Sequence, residues 1–205
     1  VSEPMAAAIG MNLPVEQAVG SMVIDIGGGT TEIAVIALSG IVTHESLRVA
    51  GDAMDQSIID HMRKKYNLLI GPRGAESVKW KIGSATKQET ECNAPVRGRD
   101  MVDGIPKTIE VSSCEIRDAL TDPVDKIVAG VRRVLESTPP ELAADILDRG
   151  MILSGGGGKL NGLRERLIQG TSLPTYVDTN DPLTAVVRGN SMIIEEYDRY
   201  RKVLY

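Results

Sequence analysis

The chain has 205 residues, 42 % of them hydrophobic and 25 % charged, which suits one large globular domain or two small lobes. With 28 acidic against 23 basic residues the net charge is −5, which argues against general phosphate-backbone binding and so against nucleic acid, since that contact needs a basic face. The longest apolar runs, such as Ile33 to Leu38, fall far short of the roughly 20 residues a membrane span needs, and no signal peptide is read at the start, so a soluble cytoplasmic protein is expected.

In chain order, Glu3 before Pro4 reads as a helix-start acid favoured by the macrodipole. From Ser21 to Ile26 the pattern is a strand, Gly27-Gly28-Gly29-Thr30-Thr31 is a glycine turn, and Glu32 to Leu38 is a second strand. Ser39-Gly40 then turns into a third run over Ile41 to Val49, so an antiparallel meander of three strands is predicted. After Gly51-Asp52 the period becomes helical, with Met54, Ile58, Ile59 and Met62 on one face and Arg63-Lys64-Lys65 and Asn67 at the end. Gly71-Pro72-Arg73-Gly74 reads as a turn, Ala75 to Ile82 as a short helix, and residues 84–112 as polar β structure with loops.

Ser112-x-x-Glu115 is a capping box, and Asp122-Pro123 supplies a cap and first-turn proline for a separate, longer helix with a Val124, Ile127, Val128, Val131 stripe. Pro139-Pro140 stops it, Met151 to Leu153 is a short buried strand, Gly155 to Gly158 a glycine turn, and Leu160 to Ile168 a helix. Asp181-Pro182 caps another helix, and Ile193 to Tyr205 is expected as a terminal one. The order of elements predicts an α/β layer interrupted by a smaller lobe at about 53–115.

Two glycine turns carry the chemistry. Asp25 ends a strand before three consecutive glycines, which lets bare backbone approach phosphate oxygens while the acid reaches a Mg2+ through water; the alternative is a plain hairpin turn. Leu153-Ser154-Gly155-Gly156-Gly157-Gly158-Lys159 is a strand entering a glycine turn, and it lacks both the Walker ending and the dinucleotide spacing. Two such turns about 130 residues apart are what two walls of one nucleotide cleft require. His44 and His61 have no acid or cysteine at ligand spacing, Cys92 and Cys114 lack partner spacing, and Trp80 is expected to pack.

The strings Glu3 to Gly10, Asp25 to Glu32, Arg97-Gly98-Arg99-Asp100 and Ser137 to Leu142 together resemble the MreB family of bacterial actins, which organise rod-shaped growth. The resemblance runs over almost the whole chain. It implies the second half of an actin-like, ribonuclease H-like ATPase fold, a mixed sheet flanked by helices. Subdomain IIA would be 1–52 plus 116–205, and an α+β subdomain IIB would be inserted at 53–115.

It further implies ATP and Mg2+ as ligands, with Asp25 toward the metal, Gly27, Gly28 and Gly29 on the phosphates, and Glu3 with Thr30 placing the attacking water. Gly51 would edge the cleft, while Glu76, Lys79, Gly155, Gly156 and Gly157 would contact adenosine. The implied partners are other copies in a head-to-tail filament, a membrane-anchored protein of the RodZ type and the cell-wall elongation machinery, at the inner face of the membrane. The family's first phosphate loop and its membrane-contacting segments have no match here. Lys81 stands where the family has an acid, and Val187-Arg188-Gly189-Asn190-Ser191 replaces a small glycine-rich turn. A nucleotide-independent binding module and a sugar-kinase-like enzyme of the same superfamily are the alternatives.

Overall fold

The computed structural model describes residues 1–204. Helix α1 (Glu3–Gly10) opens the chain, followed by the expected meander of β1 (Ser21–Ile26), β2 (Thr31–Ala37) and β3 (Gly40–Leu47). All six residues of β1 are buried, because the sheet is covered on both faces and its central strands need apolar side chains on each. The period of two sorts them: Met22, Ile24, Ile26, Ile33 and Val35 enter one core, while Val23, Ala34 and Ile36 enter the other. At the edge, β3 is mostly exposed, and beyond Ile41 and Val42 it reads Thr43-His44-Glu45-Ser46, polar residues that disfavour pairing of the open ladder with other chains.

Helix α2 (Gly51–Tyr66) follows, ended by Asn67 in the left-handed conformation. A short β4 (Leu68–Leu69), helix α3 (Pro72–Ile82), β5 (Asn93–Asp100) and β6 (Pro106–Ser112) complete a second, three-stranded sheet ordered β4-β5-β6. Then come α4 (Ser113–Glu136), α5 (Pro140–Arg149), β7 (Met151–Ser154), α6 (Leu163–Thr171), β8 (Thr175–Val177), α7 (Ala185–Glu195) and a last turn, α8 (Tyr197–Tyr200). Strands β7 and β8 join the first sheet in parallel, giving the order β3-β2-β1-β7-β8 and a mixed sheet. The α/β architecture is as the sequence predicts.

Several expectations are corrected. Asp122-Pro123 does not begin a helix: α4 runs unbroken from Ser113 to Glu136 with Pro123 inside it, and the capping box at Ser112 and Glu115 forms as expected. An interior proline costs about 3 kcal/mol, whereas each of Ile116, Leu120, Val124, Ile127, Val131 and Val134 contributes about 1.5–3 kcal/mol by burial, so the stripe outweighs the break. Pro72 lies in no turn but is the first residue of α3, where its missing N–H is harmless. The β2–β3 turn falls on Leu38 and Ser39, one residue early, both with positive φ, held by N–H bonds from Leu38 to Gln17 O and from Ser39 to Val15 O.

Gly156 to Lys159 is a turn of 3₁₀ helix, and α6 starts three residues later than expected, at Leu163. Residues 187–191 are helical within α7, and the terminal helix expected from Ile193 breaks at Glu196 and continues as α8 and a 3₁₀ turn over Arg201–Leu204. Tyr205 lies outside the described residues.

Candidate functional site

Register builds the site. Asp25 is the fifth residue of β1; its antiparallel neighbour on β2 is Glu32 and its parallel neighbour on β7 is Ser154. Ser154 Oγ therefore donates to Asp25 Oδ1 at 2.7 Å, and the carboxyl group is buried. Burial pushes the Asp25 carboxyl above its ordinary range, the Ser154 bond pulls it back in part, and the Glu32 charge pushes the same way as burial. Glu3, at the start of α1, is raised by desolvation and then by the charges of Asp25 and Glu32. Among the described residues no Lys or Arg pairs with Asp25 or Glu3, so this corner carries negative charge with no protein cation to answer it.

Around Asp25 lies a cavity of about 570 Å³, within the range of small-ligand sites. One wall is the β1–β2 turn. Gly27 N–H closes the hairpin on Thr30 O, and the carbonyls of Gly27 and Gly28 accept from the N–H groups of Gly51 and Asp52 at the start of α2, at 3.1 and 2.8 Å. Among the described residues nothing accepts from the N–H of Gly28 or Gly29, so these are the amides the turn leaves for a ligand.

The opposite wall is the second glycine turn. Gly155 has φ +78°, and a Cβ there would sit 2.3 Å from Ile26 O and 2.6 Å from Asp25 Oδ1; at Gly157 it would meet Ile26 Cγ2 at 2.3 Å. The glycines are thus what allows β7 to leave the sheet against the end of β1, close to the acid.

The third wall is one face of α3. Its core-facing stripe is Ala75, Val78 and Ile82, so Glu76, Lys79, Trp80 and Gly83 fall on the cavity side at i, i+3, i+4 and i+7. Lys79 Nζ lies 2.9 Å from Asp55 Oδ1 and donates to Gly51 O at 3.1 Å, which ties α3 to the start of α2. Burial raises the Asp55 carboxyl, against which Lys79 works by hydrogen bond and charge.

Of the residues singled out from sequence, Glu3, Asp25, Gly27, Gly28, Gly51, Glu76, Lys79, Gly155, Gly156 and Gly157 line this single cavity. Gly29 and Thr30, the next two residues of the same turn, are not among the residues that line it. Asp52 and Lys159, which the sequence places beside Gly51 and at the end of the second glycine turn, also line it, whereas sequence reasoning did not select Asp55 or Asn161; for Asp55 the signal was its place one turn beyond Gly51 on the same helix. Trp80 corrects an expectation: it does not pack but stands 62 % exposed on the cavity side, because the three apolar positions of α3 claim the other face. His44 also has an acid neighbour after all, Glu32 at 2.8 Å across the β2–β3 pair.

The fold and cleft define an actin-like lobe. A solved structure of MreB 5 from Spiroplasma citri bound to AMPPNP superposes with a TM-score of 0.92 at 37 % identity over 98 % of this chain and 60 % of that one. The ADP-bound form also gives 0.92. The MamK double helical filament shares the fold at 0.77 and 23 % identity.

The family described as MreB/Mbl protein matches residues 1–202, and the chain belongs to it. Similar curated relatives are the cell shape-determining proteins MreB of Escherichia coli K12, 48 % identical over 98 % of this chain, and Mbl of Bacillus subtilis 168, 44 % identical over the same share. The chain spans 57 % and 60 % of their respective lengths. Among the described residues no helix is long and apolar enough to cross a membrane.

Proposed function

We propose that this chain is the second half of a cell-shape-determining actin homologue and supplies one wall of a Mg-ATP site whose nucleotide state governs filament contacts. The observation that carries the reading is the convergence of Asp25, two glycine turns and the Glu76–Lys79 face on one cavity. Crystal structures of a relative with AMPPNP and with ADP support a nucleotide as the ligand.

The unanswered negative corner at Asp25 and Glu3 fits a divalent cation. Among the described residues no three His, Cys, Asp or Glu side chains converge to cage a metal, which suits an ion held by one carboxylate through water together with phosphates. Bound there, Mg2+ supplies charge neutralisation on the phosphates.

In this reading Asp25 orients the ion's water shell, the free amides of Gly28 and Gly29 approach phosphate oxygens, and Gly27 shapes the turn. Glu3, its carboxyl raised by desolvation, accepts a proton from the attacking water, with Thr30 helping to place it. Gly51 edges the cleft, Lys79 and Glu76 face the ribose, and Gly155, Gly156 and Gly157 offer flat backbone to the adenosine. Subdomain IIA would comprise 1–52 and 116–205, with IIB at 53–115.

Assembly would be head-to-tail, a heterologous contact that does not close and so grows a filament, with hydrolysis acting as its timer. Partners of the RodZ type and the cell-wall machinery would place the filament at the inner membrane face. Titration calorimetry of Mg-ATP into the chain tests the site: micromolar binding lost in Asp25→Ala supports it, and binding that survives Asp25→Ala unchanged refutes it.

A further inference from the structure

The face of α3 that lines the cavity ends in an aromatic ring that the Glu76 and Lys79 roles leave unexplained. Trp80 is the only tryptophan in the chain, stands 62 % exposed, and projects on the same side as Lys79 and Gly83. A large ring on a cavity wall gives a ligand in that cavity apolar surface to remove from water.

Which part of a ligand it meets follows from how α3 is tied down. Lys79, through Gly51 O at 3.1 Å, reaches the first glycine turn, whose Gly27 and Gly28 carbonyls hold the start of α2. Past Gly83, the chain is tied to the segment after the second glycine turn: Ala85 N–H donates to Asn161 O at 2.7 Å, and Ser84 bridges Asn161. The α3 face therefore runs from the phosphate-facing turn to Leu160 and Asn161, and Trp80 lies toward the latter end. There Gly83 and the Gly155–Gly157 turn offer backbone without side chains, and Asn161 brings a donor and an acceptor to one place.

We propose that Trp80 is the platform on which the base of the bound nucleotide stacks, and that it biases the site toward purines by their larger ring area. The proposal rests on the nucleotide reading above and adds a specificity-determining residue to it. Stacking on an aromatic side chain is sequence-tolerant but area-dependent, so a two-ring base gains more than a one-ring base. Since Trp80 is exposed and its helix is anchored by Ala75, Val78 and Ile82, replacing it leaves the core intact.

The test uses the chain's single tryptophan as its own reporter, with Mg-ATP, Mg-UTP and Mg-tripolyphosphate as probes in fluorescence and calorimetric titrations. The proposal predicts that Mg-ATP changes Trp80 emission, that tripolyphosphate binds without changing it, and that Mg-UTP binds more weakly than Mg-ATP. Trp80→Ala should weaken Mg-ATP by about 5- to 150-fold, narrow the ATP-to-UTP gap and leave tripolyphosphate affinity unchanged, with Trp80→Phe recovering part of the loss. Wild-type Mg-ATP affinity in Trp80→Ala, or an equal loss for tripolyphosphate, overturns stacking while the nucleotide site stands. If neither ATP nor tripolyphosphate binds the wild-type chain, the nucleotide reading and the stacking role fall together.

Discussion

Replacing Gly155 by alanine tests whether the site is built by close approach of two strand ends. The backbone at Gly155 has φ 78° and ψ 166°, a region occupied almost only by glycine, and placing a side chain there costs about 1–3 kcal/mol. The added Cβ would also lie 2.3 Å from Ile26 O and 2.6 Å from Asp25 Oδ1, so β7 and β1 must separate, at roughly 1–3 kcal/mol for overpacking. Together these make roughly 2–6 kcal/mol, a large share of the about 5–15 kcal/mol that holds a typical domain. At about 2–4 °C per kcal/mol for a chain of this size, the melting temperature should fall by roughly 4–24 °C.

Gly29→Ala is the control, since nothing lies within 4 Å of the Cβ it would add and its φ is not left-handed. Its effect should stay within about 0.5 kcal/mol. Thermal melts followed by circular dichroism measure both. A Gly155→Ala melt indistinguishable from the wild type would refute the claim that this glycine is sterically required.

Three further outcomes are expected. At the α1–α7 crossing a Cβ on Gly189 would sit 1.8 Å from Ala6 O, so Gly189→Ala should lose about 1–3 kcal/mol in urea unfolding despite alanine's better helix propensity, whereas Gly74→Ala, with only Ile70 Cβ at 3.8 Å, should gain up to about 1 kcal/mol. For Glu115, burial pushes the carboxyl up, but hydrogen bonds from Lys65, Tyr66 and Ser112 outweigh it and hold the pKa at about 2, below its ordinary 4.5. Its stabilisation is therefore full above 4.5 and lost as pH falls toward 2, and Glu115→Gln should flatten the acid limb of a stability-versus-pH curve; an unchanged limb counts against the assignment.

Asp25 runs the other way: its carboxyl is raised by burial, so the ionised form costs stability at neutral pH and protonation on acidification recovers it. Asp25→Asn should melt higher than the wild type at pH 7, the gap closing at low pH, while Mg-ATP binding is lost. A lower melting temperature at neutral pH would contradict this trade of stability for function.

The meander, the capping box, the α2 stripe and both glycine turns were legible because each is written in local pattern: period two, period 3.6, or a run of glycine. Other features are decided by contacts between distant segments. Pro123 reads as a helix start until the buried stripe on both sides of it is seen to face a single core. The strand Thr175–Val177 is three residues long and exists because β7 offers it a ladder. The α1–α7 crossing joins Gly10 and Gly189, which nothing in either local sequence connects.

In the site, Asp25 and the glycines could be selected from their own neighbours; Asp55 had only its place one turn beyond Gly51 to mark it, and its pairing with Lys79 depends on α3 coming back onto α2. The outward turn of Trp80 was readable in principle from Ala75, Val78 and Ile82, whose spacing already fixes the opposite face.

The central claim is that one nucleotide lies along both glycine turns and the α3 face, and amide chemical shifts read this residue by residue. A 15N-resolved titration of the chain with Mg-ADP should move the amides of Gly28, Gly29, Gly156, Gly157, Lys79 and Trp80 together with one binding curve, and leave the far edge strand at Thr43 to Ser46 unmoved. Shifts confined to one turn, shifts scattered over the surface, or none at millimolar nucleotide would contradict it.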